Sequence, residues 1–300
     1  MHESGGVGGT RVALIGGSGQ LGTALRGAFG AWVAAAPGHD EVALEDPAAL
    51  AVLLDASAPD VLINCAAFHN VDLCERDPDR AFALNADAVD AAAAACAQRG
   101  IRFVTISSDY VFDGTLGRAY REIDVPNPRT VYGVSKLAGE ERTRARGGRH
   151  LIVRTSGVFG TTGSSNKGKP LIERVLSAAQ RGEPTRMVSD IIFSPSYAPH
   201  VAEAIRALVD AGAVGTHHVT NAGSCSWYDF VAEALRKAGL ADAPLEPTTY
   251  AELANPTPRP RYSPLENTTF AALGIAPLPS WEAALDAFLS VRATRLAAAT

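Results

Sequence analysis

Tyr132-Gly-Val-Ser-Lys136 spaces a phenol and an ammonium four residues apart. On a helix, positions i and i+4 share one face. A lysine so placed holds positive charge near the phenol and lowers its pKa from the ordinary ~10. A phenol tuned in that way gives a proton to a carbonyl oxygen or takes one from an alcohol. Upstream, Ser107 and Ser108 end an apolar run. Ligands of open α/β sheets bind beyond the C-terminal ends of strands, so a hydroxyl there can reach the same substrate oxygen as the phenol. The alternative for Ser108 is a cap for the turn that follows, beside Asp109.

A second constellation lies near the start of the chain. Gly16, Gly19 and Gly22 form G-x-x-G-x-x-G between the apolar run RVALI (11–15) and a helical segment. A turn free of side chains lets the backbone approach a diphosphate. The helix that follows offers free N–H groups and a partial charge of about +0.5. Its place after the first strand of a βα series is what a dinucleotide site requires. The second strand ends in Pro37, Gly38 and His39, with no carboxylate to bind the adenosine ribose and repel a 2′-phosphate. That favours NADP(H). No arginine follows to grip the phosphate, however, and Asp40 and Glu41 come late enough to serve NAD.

The elements that must position these groups alternate. Apolar runs at 32–36, 61–64, 101–107 and 151–156 are separated by helical stretches, among them Pro47 onward (capped by Asp46), Asp77–Arg99 and Thr130–Arg146. Continuous apolar runs with helices between them predict a parallel sheet covered on both faces. Strands near 185–188 and 216–220 are expected to complete that sheet, with helices at 171–181, 197–210 and 281–298. The division expected is a dinucleotide-binding region, 10–160 plus 184–220, and a smaller substrate region, 161–183 plus 221–300.

Composition narrows the function classes. The chain has 300 residues, 47% hydrophobic and 20% charged, which excludes disorder over most of its length and suits about two domains. A net charge of −5, from 27 basic and 32 acidic residues, gives no general attraction to nucleic acid. Cys65, Cys74, Cys96 and Cys225 make no CxxC pair, which argues against zinc and against a disulfide scaffold. No apolar run approaches the ~18 residues of a membrane span, and the first ten residues carry no basic, apolar leader pattern. A cytoplasmic enzyme, monomer or homodimer, is the expectation.

Together these residues resemble the extended short-chain dehydrogenase/reductases, and more narrowly the dTDP-4-dehydrorhamnose reductase family. The motifs that carry the resemblance are GGSGQLG (16–22), INCAAFHNVDLCERDP (63–78), ALNADAV (83–89), TISSDYVFDG (105–114) and YGVSKLAGE (132–140). RTSGVFG (154–160), SPSYA (194–198), HVTNAGSCSWYDF (218–230) and RPRYSPLEN (259–267) follow in family order. The resemblance implies a Rossmann-type, doubly wound α/β sheet with a smaller C-terminal α/β substrate domain. It implies NADPH- or NADH-dependent reduction of the 4-keto group of a nucleotide-linked deoxysugar. Ser108, Tyr132 and Lys136 would form the catalytic triad, with Lys136 also holding the nicotinamide ribose. Gly16, Ser18, Gly19, Gln20 and Leu21 would hold the diphosphate, and Cys65, Ala66 and Ala67 would line the cofactor. Ser108, Asp109, Gly157 and Arg259 would face substrate. The family resemblance leaves room for Mg²⁺ at a dimer interface, and no ligand cluster in the sequence calls for it.

Two departures fall on the substrate side. Gly157 stands where the family often has a tryptophan that packs on the sugar, which removes an aromatic platform and is expected to leave space. Phe193 replaces a small residue in Asp190–Ser196. His69 and Asp72 either line the site or belong to a helix cap. His217 and His218, adjacent on a strand, face opposite sides and read as structural. Arg259, Arg261 and Lys167 are candidates for a substrate diphosphate. Two other readings remain: an epimerase on the same scaffold that retains its cofactor, and a cofactor-binding regulatory subunit.

Overall fold

The structure is a computed structural model and describes residues 10–162, 168, 170–255 and 257–298. Twelve strands and ten α-helices follow one another along it. The first half runs β1 (Val12–Ile15), α1 (Gln20–Phe29), β2 (Val33–Ala35), α2 (Pro47–Ser57), β3 (Val61–Asn64), α3 (Val71–Arg76), α4 (Pro78–Phe82), α5 (Ala88–Arg99), β4 (Arg102–Ser108), α6 (Val131–Ala145) and β5 (His150–Thr155). The second half runs β6 (Val158–Phe159), α7 (Leu171–Gln180), β7 (Thr185–Val188), β8 (Ile192–Phe193), β9 (Ser196–Tyr197), α8 (Ala198–Asp210), β10 (Gly215–His218), β11 (Cys225–Ser226), α9 (Trp227–Lys237), β12 (Leu245–Thr248) and α10 (Trp281–Ala298).

Six of the strands form one parallel sheet in the order β2-β1-β3-β4-β5-β10. Four of the apolar runs read from the sequence are its interior strands and the run at 32–36 is its edge strand β2; β1 and β3 are buried along their whole length. Apolar residues of α1 and α8 cover one face; α2 and α5 cover the other. The chain reverses direction of propagation between β1 and β3, and a crevice opens at their C-terminal ends, as such a switch point requires. The expected cap on α2 is present, with Asp46 Oδ1 accepting from Ala48 N and Ala49 N at 3.0 Å each.

Two expectations are corrected. The strand at 185–188 does not join the main sheet. It pairs in parallel with β12, beside α7 and α9. No residue of Thr185–Val188 is fully buried, so it lacks the continuous apolar run that an interior parallel strand needs. Its neighbours form a separate core of Ile172, Val175, Leu176, Phe193, Phe230, Trp281 and Phe288. The segment Asp77–Arg99 is not one regular α-helix either. Asp77 caps α4 by accepting from Arg80 N, and a π-helical turn at Ala83–Asp87 precedes α5. The extra residue of that turn aims Asn85 inward, where it bonds Phe68 N and O (2.9 Å each) and Ser135 Oγ (3.0 Å).

The space expected beside Gly157 is filled. Gly157 has φ +51°, and a Cβ there would lie 2.2 Å from Cδ2 and Cε2 of Phe193. The two departures are thus one packing event: Phe193 occupies the volume that Gly157 vacates and stacks on Trp227 at 3.9 Å between centroids.

Beneath the sheet's C-terminal edge, Arg154 of β5 and Glu140 of α6 form a buried pair, Nε–Oε1 2.9 Å and Nη2–Oε2 2.6 Å. Glu140 also accepts from Ser107 Oγ of β4. Glu140→Ala leaves an unpaired buried guanidinium and is expected to cost about 3–5 kcal/mol in urea unfolding. Loss of less than about 1 kcal/mol would show the pair to be incidental. Gly157→Trp combines a left-handed backbone with a clash against Phe193. It is expected to lower stability by upwards of about 1–3 kcal/mol, read as a fall in Tm, rather than to act on sugar preference alone.

Candidate functional site

The glycine loop closes the crevice floor. Gly16 has φ +75°, and a Cβ there would lie 2.7 Å from Ala66 N and 2.9 Å from the Cys65 carbonyl carbon. A Cβ on Gly22 would lie 2.2 Å from Gly16 O. Any side chain at either position would push β1, β3 and α1 apart. Gly19 is the N-cap of α1 and brings no side-chain cap; no acidic residue occupies the first turn. The N–H groups of that turn are therefore left for a ligand. Gln20 Nε2 is buried with no protein partner, and Gln20 lines the crevice. Open N–H groups and an orphaned amide donor fit an anionic diphosphate.

Helix α6 carries Tyr132 and Lys136, and glycines press it against its neighbours. A Cβ on Gly133 would lie 2.1 Å from Tyr110 O, and one on Gly139 would lie 2.3 Å from Asn85 O. Thr130 Oγ1 caps the helix by accepting from Gly133 N at 2.9 Å. The Asn85–Ser135 bond pins its middle. The face bearing Tyr132 and Lys136 is thereby held over the end of β4.

Burial pushes the Tyr132 phenol well above its ordinary pKa, opposed by a hydrogen bond with Ser108. This corrects the sequence expectation, in which Lys136 was the tuning group and the net shift was downward. Burial lowers the Lys136 ammonium to about 8, opposed by the negative charge of Glu140. The Cys65 thiol is pushed up to about 12 by its own burial, so it stays neutral beside the lysine.

A cavity of about 450 Å³ joins these groups. Gly16, Gly19, Gln20, Leu21, Cys65 and Ala67 line it on the side of the glycine loop, and Ser108, Asp109, Tyr132, Lys136, Gly157 and Arg259 also line it. Ser18 and Ala66 do not line it; Ser18 is exposed, and Ala66 packs on the core. Asp109 is 4% exposed, and both its oxygens are taken by serine hydroxyls. Arg259 Nη2 is held by Asp72 at 3.0 Å, and its other nitrogens reach the hydroxyls of Tyr250 (3.0 Å) and Tyr110 (3.2 Å). Asp72 is thus the anchor of Arg259, Asn70 is the actual cap of α3, and His69 lines the cavity. Arg261 is exposed, and Lys167 lies outside the described residues. His217 and His218 are structural, bonded to Thr269 Oγ1 and to the carbonyls of Tyr120 and Glu266. Among the described residues no group of acidic, histidine or cysteine side chains could hold a metal, and no helix is long and apolar enough to cross a membrane.

Three features escaped the sequence reading. Arg26, in the last turn of α1, comes near the residue that follows β2: a Cβ on Gly17 would lie 3.5 Å from Ala36 Cβ and 3.6 Å from Arg26 Cδ. An arginine does stand beside the second strand, delivered by α1 rather than by the residues after it. Glu41, a candidate for the ribose, accepts instead from Gly38 N at 2.8 Å within its own loop. Trp227 lines the cavity on its Phe193 backing, at the start of α9, which the Ser226–Asp229 capping box secures.

Comparison with known proteins points to one family. The family model for the RmlD substrate binding domain matches residues 10–293. The chain is 36% identical to dTDP-4-dehydrorhamnose reductase of Mycobacterium tuberculosis, covering 94% of this chain and 93% of that one. It is 39% identical to the spore coat polysaccharide biosynthesis protein SpsK of Bacillus subtilis, over 79% and 81%. Its fold superposes on the dTDP-4-dehydrorhamnose reductase of Bacillus anthracis, solved in complex with NADP, with a TM-score of 0.88 at 29% identity over 93% and 98% of the two chains. With a glycine loop, a Tyr132/Lys136 helix and a serine-ended strand around one cavity, and with a match across nearly its whole length, the chain belongs to the RmlD substrate binding domain family.

Proposed function

We propose that this protein is an NADPH-dependent reductase of the 4-keto group of a nucleotide-linked 6-deoxyhexose, acting in deoxysugar biosynthesis. The observation that carries the reading is the convergence of Ser108, Tyr132 and Lys136 on the cavity that the glycine loop opens. The relatives named as dTDP-4-dehydrorhamnose reductases and the NADP complex support both the reaction and the dinucleotide. Arg26 beside the second strand and the diversion of Glu41 favour the phosphorylated dinucleotide.

The chemistry that a reduced nicotinamide held in the crevice would supply is a hydride for the keto carbon. The first turn of α1 and Gln20 would hold its diphosphate. As charge develops on the keto oxygen, Tyr132 gives it the phenolic proton. The raised pKa suits this direction, because the phenol is fully protonated at neutral pH. Lys136, while charged, stabilises the phenolate left behind. Arg259, aimed by Asp72, meets the anionic end of the nucleotide.

The decisive assay is NADPH oxidation against a panel of nucleotide-linked 4-keto-6-deoxy sugars. Tyr132→Phe is expected to lower kcat by about 10²–10⁴-fold with NADPH binding unchanged; equal activity removes Tyr132 as the acid. Turnover with no net NADPH consumption and a retained cofactor would mark an epimerase. Lys136 is charged below about 8 and neutral above it. Reduction is therefore expected to fall as pH rises through about 8, and Lys136→Met to give a low, flat profile. A wild-type profile level across that range would separate the lysine's charge from the reaction.

A further inference from the structure

Among the described residues, three lysine or arginine side chains line the cavity: Lys136, Arg174 and Arg259. They differ in what opposes their charge. Lys136 has the Glu140 carboxylate four residues on along α6. Arg259 has each of its nitrogens engaged: Nη2 by Asp72 at 3.0 Å, Nε by the Tyr250 hydroxyl at 3.0 Å and Nη1 by that of Tyr110 at 3.2 Å. Arg174, in the first half of α7, is exposed, and its guanidinium makes no ion pair or hydrogen bond with another described residue. The carboxylate next to it in the chain, Glu173, is held by Arg292 of α10 at 2.8 Å. The segment 161–170, which leads into α7, contains no acidic residue.

A guanidinium left open at a cavity is a site for an oxyanion, because its fork of N–H donors matches phosphate and carboxylate oxygens. Its surroundings narrow the choice. Ile172 of α7 and Phe230 of α9 share one core and both line the cavity, so the two helices form one wall. Trp227, at the start of α9, belongs to that wall and is stacked on Phe193. The wall thus combines an aromatic face with an uncompensated positive charge. A nucleotide-linked sugar presents the complement: the C–H face of a ring, joined to a diphosphate with a negative charge on each phosphate. The dinucleotide's own diphosphate is already provided for at the glycine loop, by the open first turn of α1 and by Gln20. Arg259 shares its charge with Asp72, so a doubly charged group calls for a second cation. We infer that Arg174 binds the diphosphate of the nucleotide sugar, with the wall of α7 and α9 as the surface on which that part of the substrate rests. This rests on the reductase reading for the identity of the substrate.

The test uses the full chain with saturating NADP⁺, so that the cofactor crevice is filled. The probes are dTDP, UDP, CDP and GDP; the one bound most tightly is then compared with its own nucleoside, which lacks the phosphates. Arg174→Gln is expected to fold with an unchanged Tm, because the side chain it removes bonds no described residue. It is expected to weaken the nucleoside diphosphate about tenfold and the nucleoside less than about twofold. Arg174→Lys keeps the charge without the fork and is expected to fall between. In turnover, Arg174→Gln is expected to raise KM for the nucleotide-linked keto sugar about tenfold, with kcat and KM for NADPH held within about twofold. An unchanged affinity for the diphosphate overturns the proposal. So does an equal loss for the nucleoside, which would mean that the wall itself had changed. A rise in KM for NADPH in place of the sugar's would give Arg174 to the cofactor and overturn it as well. If the diphosphate depends on Arg174 as stated while wild-type protein reduces no keto sugar, the reductase reading falls and the binding site stands. If keto sugar is reduced and nothing depends on Arg174, the site falls and the reading stands.

Discussion

The buried pair of Arg154 and Glu140 is the constraint on which the rest of the site depends. Each partner is almost fully removed from water, and together they join the fifth strand of the sheet to the helix that carries the acid. Such a pair adds little net stability over an apolar pair of equal volume, because desolvation consumes most of the attraction. What it adds is location. Glu140 accepts from Arg154 and from Ser107 with both its oxygens engaged, so the register of α6 against β4 and β5 is set by directional bonds rather than by grease. Four residues earlier on the same helix face stands Lys136, and the Glu140 charge partly offsets the burial that drives its pKa down. Structural and chemical roles are therefore coupled: the group that docks the helix also helps hold the lysine charged.

The same economy appears at the glycines of the site. Gly16, Gly22, Gly133 and Gly139 differ in motif, yet each removes a Cβ that would strike a backbone atom of another element at under 3 Å. Two of them bring β1, β3 and α1 together around the dinucleotide crevice, and two bring α6 against Tyr110 and Asn85. The cavity is small and the reacting groups are close because the backbones are close. A chain whose net charge is −5 can still hold two anionic molecules there: the positive field is local, from the open first turn of α1, Lys136 and Arg259.

The chemistry-bearing half of the site was legible in the sequence, for a physical reason. The glycine loop, the serine-ended strand and Y-x-x-x-K are local patterns whose spacing alone puts the groups on one turn or one helix face. The interior strands were legible as well, because burial on both faces leaves a continuous apolar run. What the sequence hid depends on contacts between distant segments. Nothing near Ala83–Asp87 announces a π-helical turn, which exists to present Asn85 to Phe68 and Ser135. Arg26 reads as an ordinary surface arginine until β2 folds beside it. Thr185–Val188 has strand character, and only its partner, Leu245–Thr248, decides which sheet it joins.

The substrate half shows how two departures from a family pattern can be one. Taken singly, Gly157 is a lost aromatic and Phe193 an enlarged residue. In space the first makes room for the second: φ +51° at Gly157 is a conformation a tryptophan resists, and the Phe193 ring lies where its Cβ would be. An aromatic surface is present all the same, because Phe193 supports Trp227 face to face at an interplanar angle of 13°, and Trp227 lines the cavity. A flat apolar wall remains available to the C–H face of a sugar, approached from α9 instead of from the turn after β5. The proton machinery sits on the opposite elements, β4 and α6, and is unchanged by this exchange. The small core of Ile172, Phe193, Phe230 and Trp281 packs apart from the elements that carry the Glu140–Arg154 pair, so substrate preference can drift on it while the reaction stays in place.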